Sequence, residues 1–201
     1  GNIGVIGNPD LEPEKTVSYE IGIQYKIDSF SALDMTMYFR DIRDLTGTRN
    51  DVIFTYNGAT YNKYENSDFA FVKGLVLSYK KQFLNGFSTT FDYTFQQAKG
   101  TASNPFDAYN SSQANEFPEI HIIPLNWDQR HTINATLYYD SKNWGLGLIG
   151  KIGSGQPYTP FISDNFANLI TNSKTKPMTS NVDLRTYMNF PSLNGVKLYI
   201  N

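Results

Sequence analysis

The chain of 201 residues contains no cysteine and only two histidines. Without cysteine it has no disulfide scaffold, no cysteine zinc cluster and no catalytic thiol. It also lacks the run of about 20 apolar residues that a transmembrane helix needs, and no basic start followed by an apolar core marks a signal peptide. The formal net charge of -2 gives no reason to expect nucleic-acid binding, which usually requires a basic surface.

Aromatic residues, in contrast, are abundant. They make up 15% of the chain, with 14 Tyr and 14 Phe. Tyrosine is amphipathic and is enriched where a membrane meets water. The mean hydropathy of -0.41 is ordinary for a soluble protein. The value does not exclude a transmembrane β-barrel, because polar lumen residues alternate with lipid-facing ones along its strands.

The segment from Thr16 to Ile27 has the pattern that dominates the chain. Every second residue from Val17 onward is apolar or aromatic, and those between are polar or glycine. Successive side chains of a β-strand point to opposite faces, so this strand has one apolar and one polar face. A helix would mix the two sets. The length fits a tilted strand crossing a bilayer, which needs about 9–11 residues.

The same alternation recurs and predicts eight antiparallel strands. They are residues 16–27, 31–42, 68–82, 87–98, 128–139, 144–153, 180–190 and a strand that begins at 195. Short turns join the strands in pairs, and long polar connections over about 43–67, 99–127 and 154–179 separate the pairs. Residues 1–15 are predicted as an irregular lead-in. A short strand at Val52–Tyr56 is an option within the first long connection.

The lengths of the connections indicate the architecture. In an up-and-down sheet, alternate connections lie at opposite ends, so all the short turns share one end and all the long loops share the other. Outer-membrane barrels have this asymmetry, with short periplasmic turns and long extracellular loops, whereas a soluble sandwich has no need of it. The sequence therefore predicts an all-β fold, a segment of an antiparallel up-and-down transmembrane β-barrel.

The directions of the outer strands predict further strands beyond residues 1–201. The first strand would start, and the eighth would end, at the extracellular side. Bacterial single-chain barrels have an even number of strands, and their termini are normally periplasmic. Eight strands are enough to close a small barrel, but the positions of the termini favour at least one additional strand on each side.

Several motifs resemble those of TonB-dependent outer-membrane receptors, and they occur in the family's order. GNPDLEPEK at Gly7–Lys15, followed by SYEIG at Ser18–Gly22, resembles the "NPDLKPE…YELG" signature. The later matches are YFRDIRDL (38–45), the "N…A.VKG.E" strand from Asn66 through VKG (66–74), PLNWDQRHT (124–132), SGQPYTP (154–160) and DLR (183–185). In one departure, Leu75-Val76 replaces the acidic residue that usually follows VKG.

The resemblance implies that residues 1–201 are the C-terminal portion of one 22-stranded β-barrel domain, without its N-terminal plug, its TonB box and its final strand. PLNWDQRH and SGQPYTP are most similar to receptors that carry an N-terminal carboxypeptidase-regulatory-like domain. The implied function is energy-dependent uptake of a siderophore, oligosaccharide or peptide across the bacterial outer membrane. The implied partners are outer-membrane lipid, the plug and the TonB complex, and a surface lipoprotein over the loops is left open.

Charged residues on the polar faces of the strands are the candidates for lumen contacts. Arg or Lys facing lipid would cost about 2–4 kcal/mol near the midplane, so these faces are expected to line the lumen. They would form a network in the wall and hold the plug, or else contact the ligand. They are Glu20, Asp34, Arg40, Asp92, Arg130, Asp183 and Arg185.

The long loops carry aromatic residues among Asn, Ser and Asp. Rings stack on apolar surfaces and amides form hydrogen bonds, which suits sugars or peptides. The alternative is that the loops simply pack on themselves. The candidate ligand contacts are Tyr56, Tyr61, Tyr109 and Tyr158, and further loop aromatics are Tyr64, Phe106, Phe117 and Phe161. A second aromatic group is predicted as an interfacial girdle at the short-turn end: Phe30, Phe83, Phe87, Tyr139 and Trp144.

No catalytic or metal-binding pattern emerges. The chain has no nucleophile elbow, phosphate-cradling loop or metalloprotease helix, so no enzyme and no cofactor are expected. His121 and His131 have no third ligand at a close spacing. Asp128 with Arg130 and His131 is interpreted as a structural group at the barrel rim, and the alternative is a contact with the substrate. The competing hypotheses are a passive porin or structural outer-membrane barrel, and a soluble β-sandwich that binds carbohydrate.

Overall fold

The computed structural model describes residues 2–48, 54–106, 108–109, 122–160, 171–191 and 196–200. Most of this part of the chain is β-strand. The strands are β1 (Asn2–Ile6), β2 (Lys15–Asp28), β3 (Ser31–Thr48), β4 (Phe54–Tyr56), β5 (Ala59–Gln82), β6 (Phe87–Gly100), β7 (Ile123–Pro124), β8 (His131–Asp140), β9 (Trp144–Gly153), β10 (Pro157–Tyr158), β11 (Lys174–Thr175), β12 (Thr179–Phe190) and β13 (Val196–Ile200).

Eight strands form one antiparallel up-and-down sheet in the order β13-β12-β9-β8-β6-β5-β3-β2. The predicted all-β meander is therefore confirmed. Within the described residues the sheet does not close, because β2 and β13 are its two edges. The short strands lie at the long-loop end, where β1 runs parallel to β5 and β4 and β7 extend the ladder. No described helix has the length and apolar character needed to cross a membrane.

The first long loop is the main difference from the sequence prediction. Instead of ending near residue 42, β3 continues to Thr48, and β5 begins at Ala59 rather than 68. The lead-in also contains β1, and β8 begins at His131 rather than 128. Above a membrane no lipid demands an apolar face, so the backbone ladder continues while the two-residue alternation fades. The alternation in the sequence therefore ends before the strands themselves end.

The register confirms the two faces predicted from the alternation. One continuous row of directly opposed residues is Tyr25, Leu33, Tyr79, Phe91, Ala135, Gly150 and Val182. Directly opposed residues share a face, so the apolar sets of neighbouring strands merge into one band. Ile21 and Ile23 on β2 are each 67% exposed to solvent. An apolar band of this extent is explained by contact with lipid.

The apolar band slants across the register, which gives the tilt of the strands. Tyr25 and Val182 lie in one row, six strand-to-strand steps apart. On β2 the band begins at Val17, eight residues toward the loops from Tyr25, but on β12 it begins at Val182 itself. A drift of about 27 Å along the strands over about 29 Å across them corresponds to a tilt of roughly 43°.

The other edge of the band gives a similar angle. The band ends at Ile27 on β2, two residues past Tyr25, and at Phe190 on β12, eight residues past Val182. A drift of six residues corresponds to a tilt of roughly 35°. Both values agree with the strand tilt of outer-membrane barrels, about 35–45°. The band is therefore level with the membrane only if the strands are inclined as in a barrel.

Tyrosine side chains on the polar face cover glycines on the adjacent strands. Tyr38 opposes Gly74, Tyr138 opposes Gly147 and Tyr187 opposes Gly145. A Cβ added at any of the three glycines would lie less than 3 Å from the covering ring. The absence of a side chain thus lets each ring lie flat along the wall, where it covers the bare backbone of the glycine.

At the short-turn end, aromatic rings are in contact across three strands. The ring centroids of Phe87 and Tyr139 are 4.5 Å apart, and those of Tyr139 and Trp144 are 4.7 Å apart. Rings at this level match the girdle that anchors a barrel at the interface.

The turn between β2 and β3 is closed by Asp28. The pKa of Asp28 is lowered by hydrogen bonds from the Ser31 hydroxyl and from the Phe30 N–H.

Candidate functional site

A polar row runs across seven strands on the face opposite the apolar band. Its directly opposed members are Gln24, Asp34, Ser78, Asp92, Asn134, Lys151 and Asn181. Because this face cannot contact hydrocarbon, it lines the barrel interior. Two of the predicted lumen residues, Asp34 and Asp92, therefore lie in the same register row.

Neighbouring side chains of the wall already satisfy both carboxylates. Gln24 Nε2 donates to Asp34 Oδ2 at 2.8 Å, and Thr36 Oγ1 donates to Asp34 Oδ1 at 3.2 Å. Ser78 donates a hydrogen bond to Asp92 from the adjacent strand. Both carboxylates are therefore bonded within the wall, and their predicted contacts with a plug or a ligand stay predictions.

Glu20 and Arg40 form the next charged pair toward the loops. Arg40 Nη2 lies 3.9 Å from Glu20 Oε1, and both side chains are about half exposed. The Arg40 guanidinium also lies over the ring of Tyr38, 5.2 Å from its centroid. A pair so open to solvent contributes under about 1 kcal/mol. Because both side chains are exposed, both are accessible to an occupant of the lumen.

The wall between β9 and β12 carries positive charge that the wall itself does not neutralise. Asn181 Nδ2 donates to Asp183 Oδ2 at 3.0 Å. Within the described ranges, neither Arg185 nor Lys151 forms an ion pair. Arg185 and Lys151 therefore present charged groups to whatever fills the lumen.

Asp128 is the most deeply buried charged side chain of the described residues. It is 1% exposed, and its Oδ1 accepts a hydrogen bond from the backbone N–H of Ala98 at 2.9 Å. Its Oδ2 accepts one from Arg130 Nη2 at 3.0 Å. The bond from Ala98 holds the segment before β8 against the end of β6, whereas the bond from Arg130 stays within that segment.

His131 separates from this group because it lies on the opposite face. It opposes Phe95, and its Nδ1 is 2.9 Å from the Tyr93 hydroxyl oxygen on the lipid-facing side. His121, the second histidine, falls outside the described residues. Within those residues, no three His, Cys, Asp or Glu side chains are grouped so as to hold a metal ion.

A small hydrophobic core lies on the inner face at the loop end. Leu125, from the second long loop, packs on Ala70, Val72 and Ala98 of β5 and β6. The N–H of Leu125 donates to the carbonyl of Ala98 at 3.1 Å. The loop therefore folds inward over the rim rather than extending away from it.

Polar side chains connect the three long loops. Thr48 Oγ1 donates to the carbonyl of Pro105 at 3.0 Å and joins the first loop to the second. Asn172 Nδ2 donates to Ser103 Oγ and to the carbonyl of Pro124, both at 2.8 Å, and joins the third loop to the second. Thr48 and Asn172 are buried. The described parts of the three loops are thus joined into one unit at this end of the sheet, the packed loop unit.

Asn66 fixes the lead-in segment against the sheet. Its Oδ1 accepts from the N–H of Glu12 at 2.8 Å, and its Nδ2 donates to the carbonyls of Glu12 at 2.9 Å and Asp44 at 2.7 Å. The side-chain amide of Asn66 thereby provides hydrogen bonds that a neighbouring strand would otherwise give to the "NPDLEPE" segment. The Asp44 and Glu12 carboxylates raise the pKa of the neighbouring Lys15, which they contact at 2.9 and 3.1 Å.

The loop tyrosines divide into packed and open residues. Tyr61 stacks on Phe54, with ring centroids 5.4 Å apart. The N–H of Tyr109 donates to Thr48 Oγ1 at 3.1 Å. Tyr56 is 68% exposed, and Tyr158 is 38% exposed on the β10–β11 hairpin. Tyr64 contacts Phe106 edge to face, while Phe117 and Phe161 lie outside the described residues.

Sequence reasoning missed Leu125, Thr48 and Asn172 as organisers of the loop end. None of them belongs to an alternating segment, and each contacts residues far away in the sequence. Leu125 and Asn66 do stand inside motifs of the family resemblance, which was the only available signal. The motifs marked the segments without indicating what they contact.

These features define a class of protein, the wall of an outer-membrane β-barrel. An inclined antiparallel sheet presents a lipid band outside, a polar face inside and a packed loop unit at one end. The family model described as "TonB dependent receptor-like, beta-barrel" matches residues 1–201, and the chain belongs to this family. No curated protein matches the sequence.

Solved structures of outer-membrane transporters have the same fold. The chain superposes on the transporter YddB from Escherichia coli with a TM-score of 0.75 at 12% identity, covering 100% of this chain and 30% of that one. The FrpB iron transporter from Neisseria meningitidis (F3-3 variant) gives 0.59 at 15%, with 92% and 26% covered. The ferric-catecholate import receptor Fiu from E. coli gives 0.56 at 15%, with 90% and 22% covered. The chain therefore spans less than a third of each.

Proposed function

We propose that residues 1–201 are the C-terminal portion of the barrel wall of a TonB-dependent transporter, which takes up a scarce nutrient across the outer membrane. The observation that carries the proposal is the polar inner face, on which Arg185 and Lys151 have no ion pair within the described residues. A wall of lipid-facing strands needs no such charges for its own stability. They are suited to a lumen that holds a plug and passes a polar ligand.

The predicted lumen residues would share this work unequally. Asp34, Asp92 and Asp183 accept hydrogen bonds from wall side chains, and Arg130 pairs with Asp128. These four would shape the wall. Glu20, Arg40 and Arg185 keep charged groups open to the lumen and would contact the plug or the ligand.

Ligand capture is assigned to the packed loop unit. Tyr56 and Tyr158 offer exposed rings, whereas Tyr61 and Tyr109 would act by holding the loops in shape. Rings and amides suit an oligosaccharide, a peptide or the organic part of a siderophore. These three classes stay the candidate ligands.

The partners follow from the same proposal. The plug would fill the lumen, and the TonB complex would act on it from the periplasm. A carboxypeptidase-regulatory-like N-terminal domain and a surface lipoprotein over the loops stay predictions. No catalytic step is proposed.

The test begins with the full-length protein in cells. Fractionation is expected to recover it from the outer membrane, with a shift in gel mobility on boiling. Uptake of a labelled ferric siderophore, a labelled oligosaccharide and a labelled peptide is then compared between the wild type, a deletion strain and a TonB-deficient strain. Uptake of one of the three probes should require both this protein and TonB.

Two results would contradict the proposal. Recovery in the soluble fraction would favour a β-sandwich, although all eight long strands described belong to one sheet. A steady conductance of the purified protein in a planar bilayer, with uptake independent of TonB, would favour a passive pore. The conductance measurement separates a passive pore from a TonB-dependent transporter without knowledge of the ligand.

A further inference from the structure

The lipid-facing surface ends in a polar collar on the loop side. Five strands each have a polar outward residue just beyond the loop-side edge of the apolar band. These residues are Lys15 on β2, Asp41 on β3, Lys73 on β5, Gln97 on β6 and His131 on β8. These positions drift through the register in the same direction as the edge of the band. The collar is therefore level with the membrane and lies at the depth of the outer-leaflet headgroups.

Basic side chains are concentrated on β3, β5 and β6 of this collar. Lys73 opposes Gln97, and Lys99 lies two residues farther along the same strand. Lys73 and Lys99 are thus diagonal neighbours on the outer face, at a spacing of about 7–8 Å. Arg43 also lies on this face, over the ring of Phe69 at 5.1 Å, but its charge is paired with Asp41.

No described carboxylate neutralises the two lysines. Among the described residues neither Lys73 nor Lys99 forms an ion pair. The carboxylate on the adjoining strand, Asp41, is held by Arg43 Nε at 2.8 Å. Lys15 differs because both Glu12 and Asp44 contact it. The surface around Lys73 and Lys99 therefore carries a net positive charge.

We propose that Lys73 and Lys99 bind the phosphate of a phosphorylated lipid in the outer leaflet. Two ammonium groups at this spacing can clamp one phosphate between them. The site stands directly above an apolar surface that includes Leu75 and Phe95, so a lipid would meet the lysines with its headgroup and the band with its acyl chains. Free phosphate would use only the lysines. The proposal does not depend on what the barrel transports.

The experiment uses the full-length protein in a nonionic detergent and counts bound lipid by native mass spectrometry. The probes are lipid A and the same lipid A stripped of phosphate. The variant Lys73→Gln/Lys99→Gln should bind lipid A about thirtyfold more weakly than the wild type. It should bind the dephosphorylated lipid as the wild type does.

Two variants control for charge and for position. Lys73→Arg/Lys99→Arg keeps both positive charges and should keep the binding. Lys81→Gln removes an outward lysine at the short-turn end, where its partner is Asp28 at 3.6 Å, and should also leave lipid A binding unchanged. A gel mobility shift on boiling verifies that every variant is folded.

Three results would overturn the proposal. The first is equal affinity of the wild type and the Lys73→Gln/Lys99→Gln variant for lipid A. The second is equal affinity of the wild type for the two lipids. The third is displacement of lipid A by inorganic phosphate at equimolar concentration, which would identify a site for the free anion. Weakening of wild-type binding by salt, toward the level of the variant, would support the proposal.

Discussion

Tyr38 lies across Gly74, its directly opposed partner on the neighbouring strand, and its hydroxyl donates to Gln96 Oε1 at 3.0 Å on the strand beyond. One side chain thus spans three strands of the inner wall. Because the hydroxyl is partly buried, leaving it unpaired would cost free energy. The ring can lie across Gly74 and reach Gln96 only because the glycine has no side chain.

Replacement of this glycine should destabilise the barrel. In Gly74→Ala the new Cβ would overlap the ring of Tyr38 and lie 2.7 Å from the carbonyl oxygen of Phe95. Because the latter contact is to backbone, we expect a loss of about 1–3 kcal/mol in the free energy of unfolding. Urea unfolding of the full-length protein in lipid vesicles measures it. Gly150→Ala is the matched control, since its nearest atom lies at 4.0 Å, and equal stability of the two variants would contradict the packing argument.

A charge placed on the outer face should distinguish lipid from lumen. Ile23 lies mid-band on β2, and the adjacent Gln24 points to the opposite face. We expect Ile23→Lys to cost about 2–4 kcal/mol, because the ammonium group would sit near the membrane midplane. Gln24→Lys should change stability by under about 0.5 kcal/mol. The same unfolding measurement compares them, and the reverse order would exchange the two faces.

Removal of the Asp128 carboxylate should loosen the loop end. In Asp128→Ala the buried N–H of Ala98 loses its acceptor and Arg130 loses its partner, at a cost of about 1–3 kcal/mol. Asp128→Asn keeps an acceptor for that N–H and should lose less. Hydrogen exchange at Ala98 and Leu125 reports the effect. If Asp128→Asn accelerated exchange as much as Asp128→Ala does, the backbone bond would not be the dominant contact.

Loss of the Asn66 amide should release the lead-in segment. Asn66→Asp keeps the acceptor for the Glu12 N–H but cannot donate to the carbonyls of Glu12 and Asp44. We therefore expect Asn66→Asp and Asn66→Ala both to increase proteolysis after Lys15 by trypsin added outside the cell. Thr55→Ala, an exposed change on the nearby hairpin, should not. Unchanged cleavage in the Asn66 variants would mean that the sheet holds this segment by other contacts.

Alternation along single segments is enough to predict the strands that cross the membrane and the face that each residue occupies. A lipid contact requires an apolar residue at every second position, so Val17 to Ile27 and Val182 to Phe190 record their orientation locally. The charged candidates Asp34, Asp92 and Asp183 were placed on the inner face for the same reason. The connection lengths determined which end carries the loops.

The contacts between segments and the level of each strand in the bilayer depend on how the strands and loops come together in the folded chain. Leu125 on Ala98, Asn172 on Ser103 and Asn66 on Glu12 each join parts of the chain that share no periodicity. The tilt required the register, because a single strand gives the length of its apolar stretch but not its offset from the next. Lys73 and Lys99 became neighbours only when β5 and β6 were aligned. Alternation is a property of one strand, whereas these relations belong to pairs of strands and loops.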